Sequence, residues 1–344
     1  MQKRCRIIYN PTSGREMMKN NLVDILNILE GAGYETSAYA TTPEKDSAKN
    51  EAARAAKAGF NLIVAAGGDG TINEVVNGLA PLKHRPRLGI IPAGTTNDYA
   101  RALKIPRESP IDAAKVIAKG QTVKMDIGQA NDKYFVNIAA GGLLTELTYG
   151  VPSEIKSLFG YLAYLVKGAE LLPRIKPVKM RLEYDDGVFD GMASMFFLAL
   201  TNSVGGFEQI VPDASFDDGK FTLIIVKTSN LLEILQLIQM VFNGGKHVND
   251  PRILYVKTSK VVAKAPKDRM MINIDGEYGG DAPMIFKNHK QHLEIFANTD
   301  EIPDDAITSK DEAAEENARE QFVEGVDKLR NLSEEQLELS DKDK

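Results

Sequence analysis

Three times near its start the chain repeats one pattern: a short apolar run, a polar turn, then a helix-forming stretch. Arg6–Tyr9 leads into Asn10-Pro11-Thr12-Ser13-Gly14. Leu62–Ala66 leads into Gly67-Gly68-Asp69-Gly70-Thr71, and Arg87–Pro92 into Gly94-Thr95-Thr96-Asn97-Asp98. Apolar runs of this length suit strands covered on both faces. Between them, Asn20–Gly33 carries Leu22, Ile25, Leu26 and Leu29 at helical spacing, and Ala48–Ala58 and Ser109–Lys119 also read as helices. Tyr34–Ala40 reads as a further strand. This alternation predicts a parallel sheet with helices on both faces. Ligands of such sheets bind beyond the carboxyl ends of the strands, where all three polar turns fall.

The middle turn is the most informative. Gly67, Gly68 and Gly70 permit close backbone approach, and Thr71 or Asn73 is placed to cap the helix that Glu74–Leu79 begins. Backbone N–H groups at a helix start attract phosphate. Asp69 sits in the middle of that turn and repels phosphate, so it makes sense as a carrier of Mg²⁺ or of a proton. Without a ligand, the same residues are a plain Gly-Asp-Gly turn.

A length of 344 residues implies two domains at about 150 residues each. The single cysteine, Cys5, excludes an internal disulfide and fits a reducing compartment. The start is basic, but its apolar run is too short for a signal peptide. No stretch nears the roughly 18 apolar residues of a membrane span. The expectation is a soluble, cytoplasmic protein. The net charge of −6 conceals an uneven split. Residues 300–344 hold 16 acids and 6 bases, while the rest of the chain is mildly basic at +4. His289 and His292 are spaced His-x-x-His, but nothing completes a zinc set, and they read as loop or surface residues.

After Thr122 the rhythm changes. Strand-like runs follow at Lys124–Gly128, Lys133–Ala139, Val178–Tyr184, Ala193–Leu200, Phe221–Val226, Ile253–Ser259, Met271–Ile274 and Leu293–Phe296. Asp185-Asp186-Gly187 and Asp217-Asp218-Gly219 read as hairpin turns. Helices are expected near Ser153–Leu172, Leu231–Phe242 and Ala313–Leu329, with a disordered end. The predicted fold is therefore an α/β N-terminal domain with a mostly parallel sheet, plus a mostly antiparallel β-sandwich second domain. The boundaries fall at residues 1–127, 128–299 and an acidic tail, 300–344.

The chain lacks a P-loop, a Gly-x-Gly-x-x-Gly dinucleotide pattern and the protein-kinase motif set. Its three turns, with Ile72-Asn73-Glu74-Val75-Val76-Asn77-Gly78 after the middle one, closely resemble the diacylglycerol kinase catalytic family. That family includes sphingosine and ceramide kinases and shares its nucleotide-binding fold with NAD kinases. Met125–Gly128, Ala140–Gly142, Leu200–Ser203, Pro212–Ala214, Asp217–Gly219 and Asn273–Glu277 extend the resemblance to the soluble bacterial members, over residues 5–298.

The resemblance implies an ATP site lined by Asn10, Pro11, Thr12, Ser13, Gly14, Thr41, Gly67, Gly68, Asp69, Gly70, Thr71, Ile72, Asn73 and Thr95. Asn97 would lie near the base, and Thr42 could serve as well as Thr41. Mg²⁺ would sit near Asp69 and Asp98. Glu277 would be the general base with Asp126 as its dyad partner, although Asp-Gly-Glu read alone is a hairpin turn with solvated acids. Asp218, with carbonyls of Ser215 and Lys220, resembles a second, structural Mg²⁺ site.

The implied reaction is transfer from ATP to a diacylglycerol-type lipid at the inner membrane face. The alternatives are a kinase of phosphatidylglycerol or a sphingoid base, or a non-catalytic nucleotide- or lipid-binding regulator. Arg15, Lys19, Arg101 and Lys104 form either a basic rim for anionic headgroups or ordinary solvated bases. No nucleic-acid partner is expected, and exposed strands allow a homodimer.

Overall fold

The computed structural model describes residues 2–142, 177–202, 211, 213–228, 233–234, 236–237, 240 and 246–307. The helices expected at 153–172 and 313–329, and most of that at 231–242, lie outside the described residues. Four parallel strands build the first half: β1 (Lys3–Tyr9), β2 (Tyr34–Ala40), β3 (Leu62–Gly67) and β4 (Arg87–Pro92). They lie in the order β2-β1-β3-β4. Every residue of β3 is buried, as its unbroken apolar run requires. Helices α1 (Met17–Gly31), α2 (Ser47–Lys57), α3 (Asp69–Leu79), α4 (Asp98–Ala102) and α5 (Pro110–Lys119) connect and cover these strands. Ser109 caps α5 through the N–H of Asp112, at 3.2 Å. Cys5 is buried in this core, and burial pushes its thiol up to about 12.

The second half is mostly antiparallel. β5 (Thr122–Ala130) and β6 (Lys133–Phe135) lead into β7 (Ile138–Gly142), and later strands are β8 (Val178–Tyr184), β9 (Gly187–Ala193), β10 (Met195–Ala199) and β11 (Phe221–Val226). The chain closes with β12 (Ile253–Thr258), β13 (Lys260–Lys264), β14 (Met271–Ile274), β15 (Glu277–Asp281) and β16 (Met284–Phe296). One sheet of six strands runs β12-β11-β10-β7-β14-β15. The remaining strands extend the parallel sheet as β4-β16-β13-β8-β9, with β5 and β6 alongside β16. Phe135, Phe196, Phe221 and Phe286 fill the layer between the sheets, with ring centroids 5.7–6.4 Å apart in the packed pairs.

Strand β16 joins the two halves. It pairs with β5 on both sides of a bulge, with β13 at its beginning, and touches β4 at Ile295. The run expected at 293–296 is thus the end of a strand of 13 residues. The boundary placed at 127 falls inside β5. Several local expectations change. Helix α3 begins at Asp69 with Gly68 as N-cap, so Thr71 and Asn73 lie inside it. Asp185–Gly187 is a hairpin turn, between β8 and β9. Asp217–Gly219 is not: it belongs to the long connection from β10 to β11, and Gly219 donates its N–H to Asp126.

The two histidines are not loop residues either. They flank a bulge within β16, where His292 Nε2 meets Ala80 O at the end of α3 (2.8 Å) and His289 Nε2 meets Gln129 Oε1 (2.6 Å). Burial, with Arg85 nearby, holds both imidazoles below the usual histidine range, and Lys287 adds to this at His289.

Candidate active site

The parallel strands end on one edge, and the three polar turns meet there. Asn10 donates its N–H to Ala66 O at 3.0 Å, Ala93 donates to Gly67 O at 2.8 Å, and Thr41 donates to Tyr9 O at 2.9 Å. The turns cross so closely that side chains are excluded. A β-carbon on Gly94 would stand 2.6 Å from the Gly68 Cα, and one on Gly14 would stand 2.8 Å from Ala93 O. No side chain caps the start of α3. The first N–H groups of a helix lack the usual partner and its dipole attracts an anion there, although the Thr71 N–H is already held by Gly68 O at 3.0 Å.

Each turn is internally braced. Asn10 Oδ1 accepts both the N–H and the hydroxyl of Thr12, at 3.0 and 2.9 Å. Asn97 holds a left-handed conformation, with φ of 51°. Its side chain closes on Gly94, accepting that residue's N–H at 3.0 Å and donating to its O at 2.8 Å. The Asn97 amide is therefore spent on its own turn. The Thr71 side chain lies over Gly67, and Ile72 is buried in the core. Thr42 is committed to Ser47, with its N–H 3.0 Å from Oγ, which leaves Thr41 beside the strand ends.

Acids gather at this edge. Asp69 Oδ2 accepts the Asn97 N–H at 3.0 Å. Burial raises Asp69 to about 6, and the charges of Asp98 and Asp275 add to this, while the bond from Asn97 opposes it. Glu277 arrives from the second half of the chain, at the start of β15. Its Oε1 would be 3.6 Å from a β-carbon on Gly70. A carboxylate 207 positions away in sequence thus stands against the glycine turn. Among the described residues its carboxylate makes no hydrogen bond or ion pair.

Asp126 is held differently. It is 1% exposed, with Oδ1 accepting the Gln291 N–H at 2.7 Å and Oδ2 the Gly219 N–H at 2.6 Å. Burial raises it to about 6, with a contribution from Asp218. No hydrogen bond joins it to Glu277 among the described residues. Both Asp126 and Asp275 act on the buried Tyr99 hydroxyl, whose ionisation burial pushes well above the ordinary range. Asp218 lies apart from the turns, half-buried, with Oδ1 taking the Lys220 N–H at 2.8 Å. Ser215 donates its hydroxyl to Asp217 at 3.3 Å. No group of three or more His, Cys, Asp or Glu surrounds a metal position among the described residues.

Residues 4–130 match the diacylglycerol kinase catalytic domain, and residues 150–297 match the YegS C-terminal NAD kinase beta sandwich-like domain. A diacylglycerol kinase of Bacillus subtilis is 53% identical over 293 residues, spanning 85% of this chain and 96% of that protein. The chain belongs to the diacylglycerol kinase family. A family member from Staphylococcus epidermidis is 50% identical over 313 residues, spanning 90% of this chain and 98% of its own. The crystal structure of a Bacillus anthracis protein assigned to the diacylglycerol kinases superposes with a TM-score of 0.74 at 26% identity. It covers 86% of this chain and 97% of its own.

Several residues that frame this site in the diacylglycerol kinase family member were not singled out from sequence. Asn77 clasps Tyr134, accepting its N–H at 2.9 Å and donating to its O at 2.9 Å. Asp275 and Tyr99 also belong to the site's framework. The available signal was the spacing Asn73-x-x-x-Asn77, which puts two amides on one face of α3.

Proposed function

We propose that this protein is an ATP-dependent lipid kinase that phosphorylates diacylglycerol to phosphatidic acid. The observation that carries this is the meeting of Glu277 with the glycine turn at Gly70. The phosphates of ATP lie along the backbone of Asn10–Gly14, Gly67–Thr71 and Gly94–Thr95, with Thr41 at the rim. Asn97 shapes this wall by closing its turn, with its side chain on Gly94. The lipid hydroxyl oxygen attacks the γ-phosphorus, the bond from that phosphorus to the β–γ bridging oxygen breaks, and ADP leaves. Glu277 takes the hydroxyl proton. Asp126 serves from beneath the β16 bulge by fixing the Asp218–Gly219 loop.

The residues fit Mg²⁺ at the turns. Burial raises the Asp69 carboxyl, and the neighbouring Asp98 charge raises it further, an arrangement that a cation between the two would relieve. These two would hold the ion, which would neutralise charge on the phosphates. A second ion at Asp218, with carbonyls of Ser215 and Lys220, would depend mainly on carbonyls and water, because one Asp218 oxygen is already engaged.

The lipid is met at the inner membrane face, with Lys19, Arg101 and Lys104 beside the turns as contacts for anionic headgroups. Among the described residues no helix is long and apolar enough to cross a membrane. A homodimer would form through the edge strand β9, where Val188 and Met192 are 50% and 47% exposed. Labelled ATP and diacylglycerol in mixed micelles test the reaction. Labelled phosphatidic acid is the expected product, whereas ATP binding without transfer to any lipid would favour the regulator reading.

Asp69→Asn separates function from stability. A carboxyl raised to about 6 stabilises the fold most below its unfolded value of 3.8, and that contribution is lost as pH rises through 6. Ionised Asp69 is thus a liability at pH 8, on the order of 3 kcal/mol. The asparagine can still accept the Asn97 N–H. In Mg²⁺-free buffer the variant is expected to melt higher than wild type at pH 8, with the gap closing as pH falls towards 4, and to lose kinase activity. Equal melting temperatures at pH 8 would contradict this.

A further inference from the structure

Glu277 stands at Gly70 because of what precedes it. Asp275 and Gly276 form the tip of the β14–β15 hairpin, with φ of 48° and 90°. This is the left-handed pair that a two-residue Asp-Gly hairpin demands. The Asp275 carboxylate folds back from the tip. Its Oδ1 accepts the N–H groups of Asn137 and Ile138, at 3.0 and 2.9 Å. Its Oδ2 accepts the Val136 N–H at 2.9 Å and Asn73 Nδ2 at 2.8 Å. Three of these donors belong to the chain entering β7, beside β14 in the same sheet. The fourth, Asn73, belongs to α3, one turn beyond Asp69 and Gly70.

Asn73 is itself aligned. Its Oδ1 accepts Asn77 Nδ2 at 3.0 Å, and Asn77 grips both backbone groups of Tyr134. The helix that begins at Asp69 is therefore joined to the hairpin that carries Glu277 by a side-chain bond from Asn73 to Asp275. With its amide turned to the hairpin and to Asn77, Asn73 is not oriented as a nucleotide contact.

We propose that Asn73 and Asp275 are positioning residues for phosphoryl transfer: their hydrogen bond fixes the 275–277 turn against α3, so that the Glu277 carboxylate faces the phosphate-binding turn at Gly70. The inference rests on the proposed role of Glu277 as base. Misplacing a reacting group by about 1 Å costs on the order of 100-fold in rate. Asn73→Ala removes the link to Asp275 together with the side-chain contacts of Asn73 to Asn77 and to Tyr134 O, but leaves the backbone donors on Asp275 in place, whereas Asp275→Asn leaves backbone N–H groups in the sheet unpaired and risks folding. Asn73→Ala therefore carries the test.

The experiment is a double-mutant cycle in the full chain, with labelled ATP and diacylglycerol micelles. Asn73→Ala is expected to lower kcat by about 10- to 100-fold while KM for ATP changes less than about twofold. In the Glu277→Gln background the same change is expected to alter the residual rate less than about twofold, because the group being positioned is gone. An equal loss in both backgrounds, or weakened ATP binding with kcat intact, would overturn the inference. If Glu277→Gln abolishes turnover but Asn73→Ala leaves kcat unchanged, the positioning role alone fails. If Glu277→Gln keeps normal turnover, the assignment of the base fails first and takes the positioning role with it.

Discussion

Glu277→Gln is expected to lower kcat by about 10²- to 10⁴-fold, the range for loss of a positioned general base, while ATP binds as before. The substitution keeps the shape of the side chain and removes its ability to take a proton. Glu277 makes no hydrogen bond or ion pair among the described residues, so no structural partner is lost. The melting temperature should therefore stay near that of wild type. Steady-state turnover and nucleotide titration on the same preparation check both halves of the result. Normal kcat would remove Glu277 from the chemistry. A parallel loss of ATP affinity would mean that it contacts the donor rather than the acceptor.

The second large effect is expected at Gly94. A β-carbon there would lie 2.6 Å from the Gly68 Cα and 2.8 Å from Asn97 Oδ1. The first of these is backbone and cannot rotate away. Gly94→Ala must push the third turn off the second, and overpacking of this kind costs about 1–3 kcal/mol. It also disturbs the Asn97 N–H that holds Asp69. The expected outcome is a chain that still folds, melts lower and binds ATP at least 10-fold more weakly. Gly120→Ala is a fitting control, because a β-carbon there meets nothing within 4 Å, although its φ of +82° makes some loss of stability expected. Unchanged ATP affinity in Gly94→Ala would mean that the convergence of turns is not the nucleotide site.

The first half of the fold was legible because its code is local. A short apolar run such as Leu62–Ala66, bounded by a glycine turn, suits a covered strand, and that turn marks the edge where ligands gather. The strands missed were β9, β13 and β15. β15 reads Glu-Tyr-Gly-Gly-Asp and β9 carries two glycines and an aspartate, so neither shows the alternation that marks a strand. β13 is short and bounded by lysines at both ends. Their pairing is set by neighbours distant in sequence. Strand β16 was read only at its apolar end, because a bulge at His289–Leu293 interrupts the alternation that would have extended it.

The site divides the same way. The turns and Asp69 announced themselves, since glycines around a carboxylate are chemically odd. Glu277 stood out only through family resemblance, because nothing in Asp-Gly-Glu tells a catalytic hairpin from a solvated one. Asp275 is a clearer case of hidden information. Its role depends on N–H groups at residues 136–138 and on Asn73, and no single window of sequence contains them.

In the proposed reaction, turns from the first half present ATP to a diacylglycerol hydroxyl whose proton Glu277 removes. The measurement closest to it is transfer from γ-labelled ATP in mixed micelles holding equal mole fractions of diacylglycerol, phosphatidylglycerol or a sphingoid base. Labelled phosphatidic acid is expected from diacylglycerol, at a rate at least 10-fold above either other lipid and lowered at least 100-fold by Glu277→Gln. Faster transfer to phosphatidylglycerol or the sphingoid base, or no transfer to any lipid by a chain that binds ATP, would contradict it.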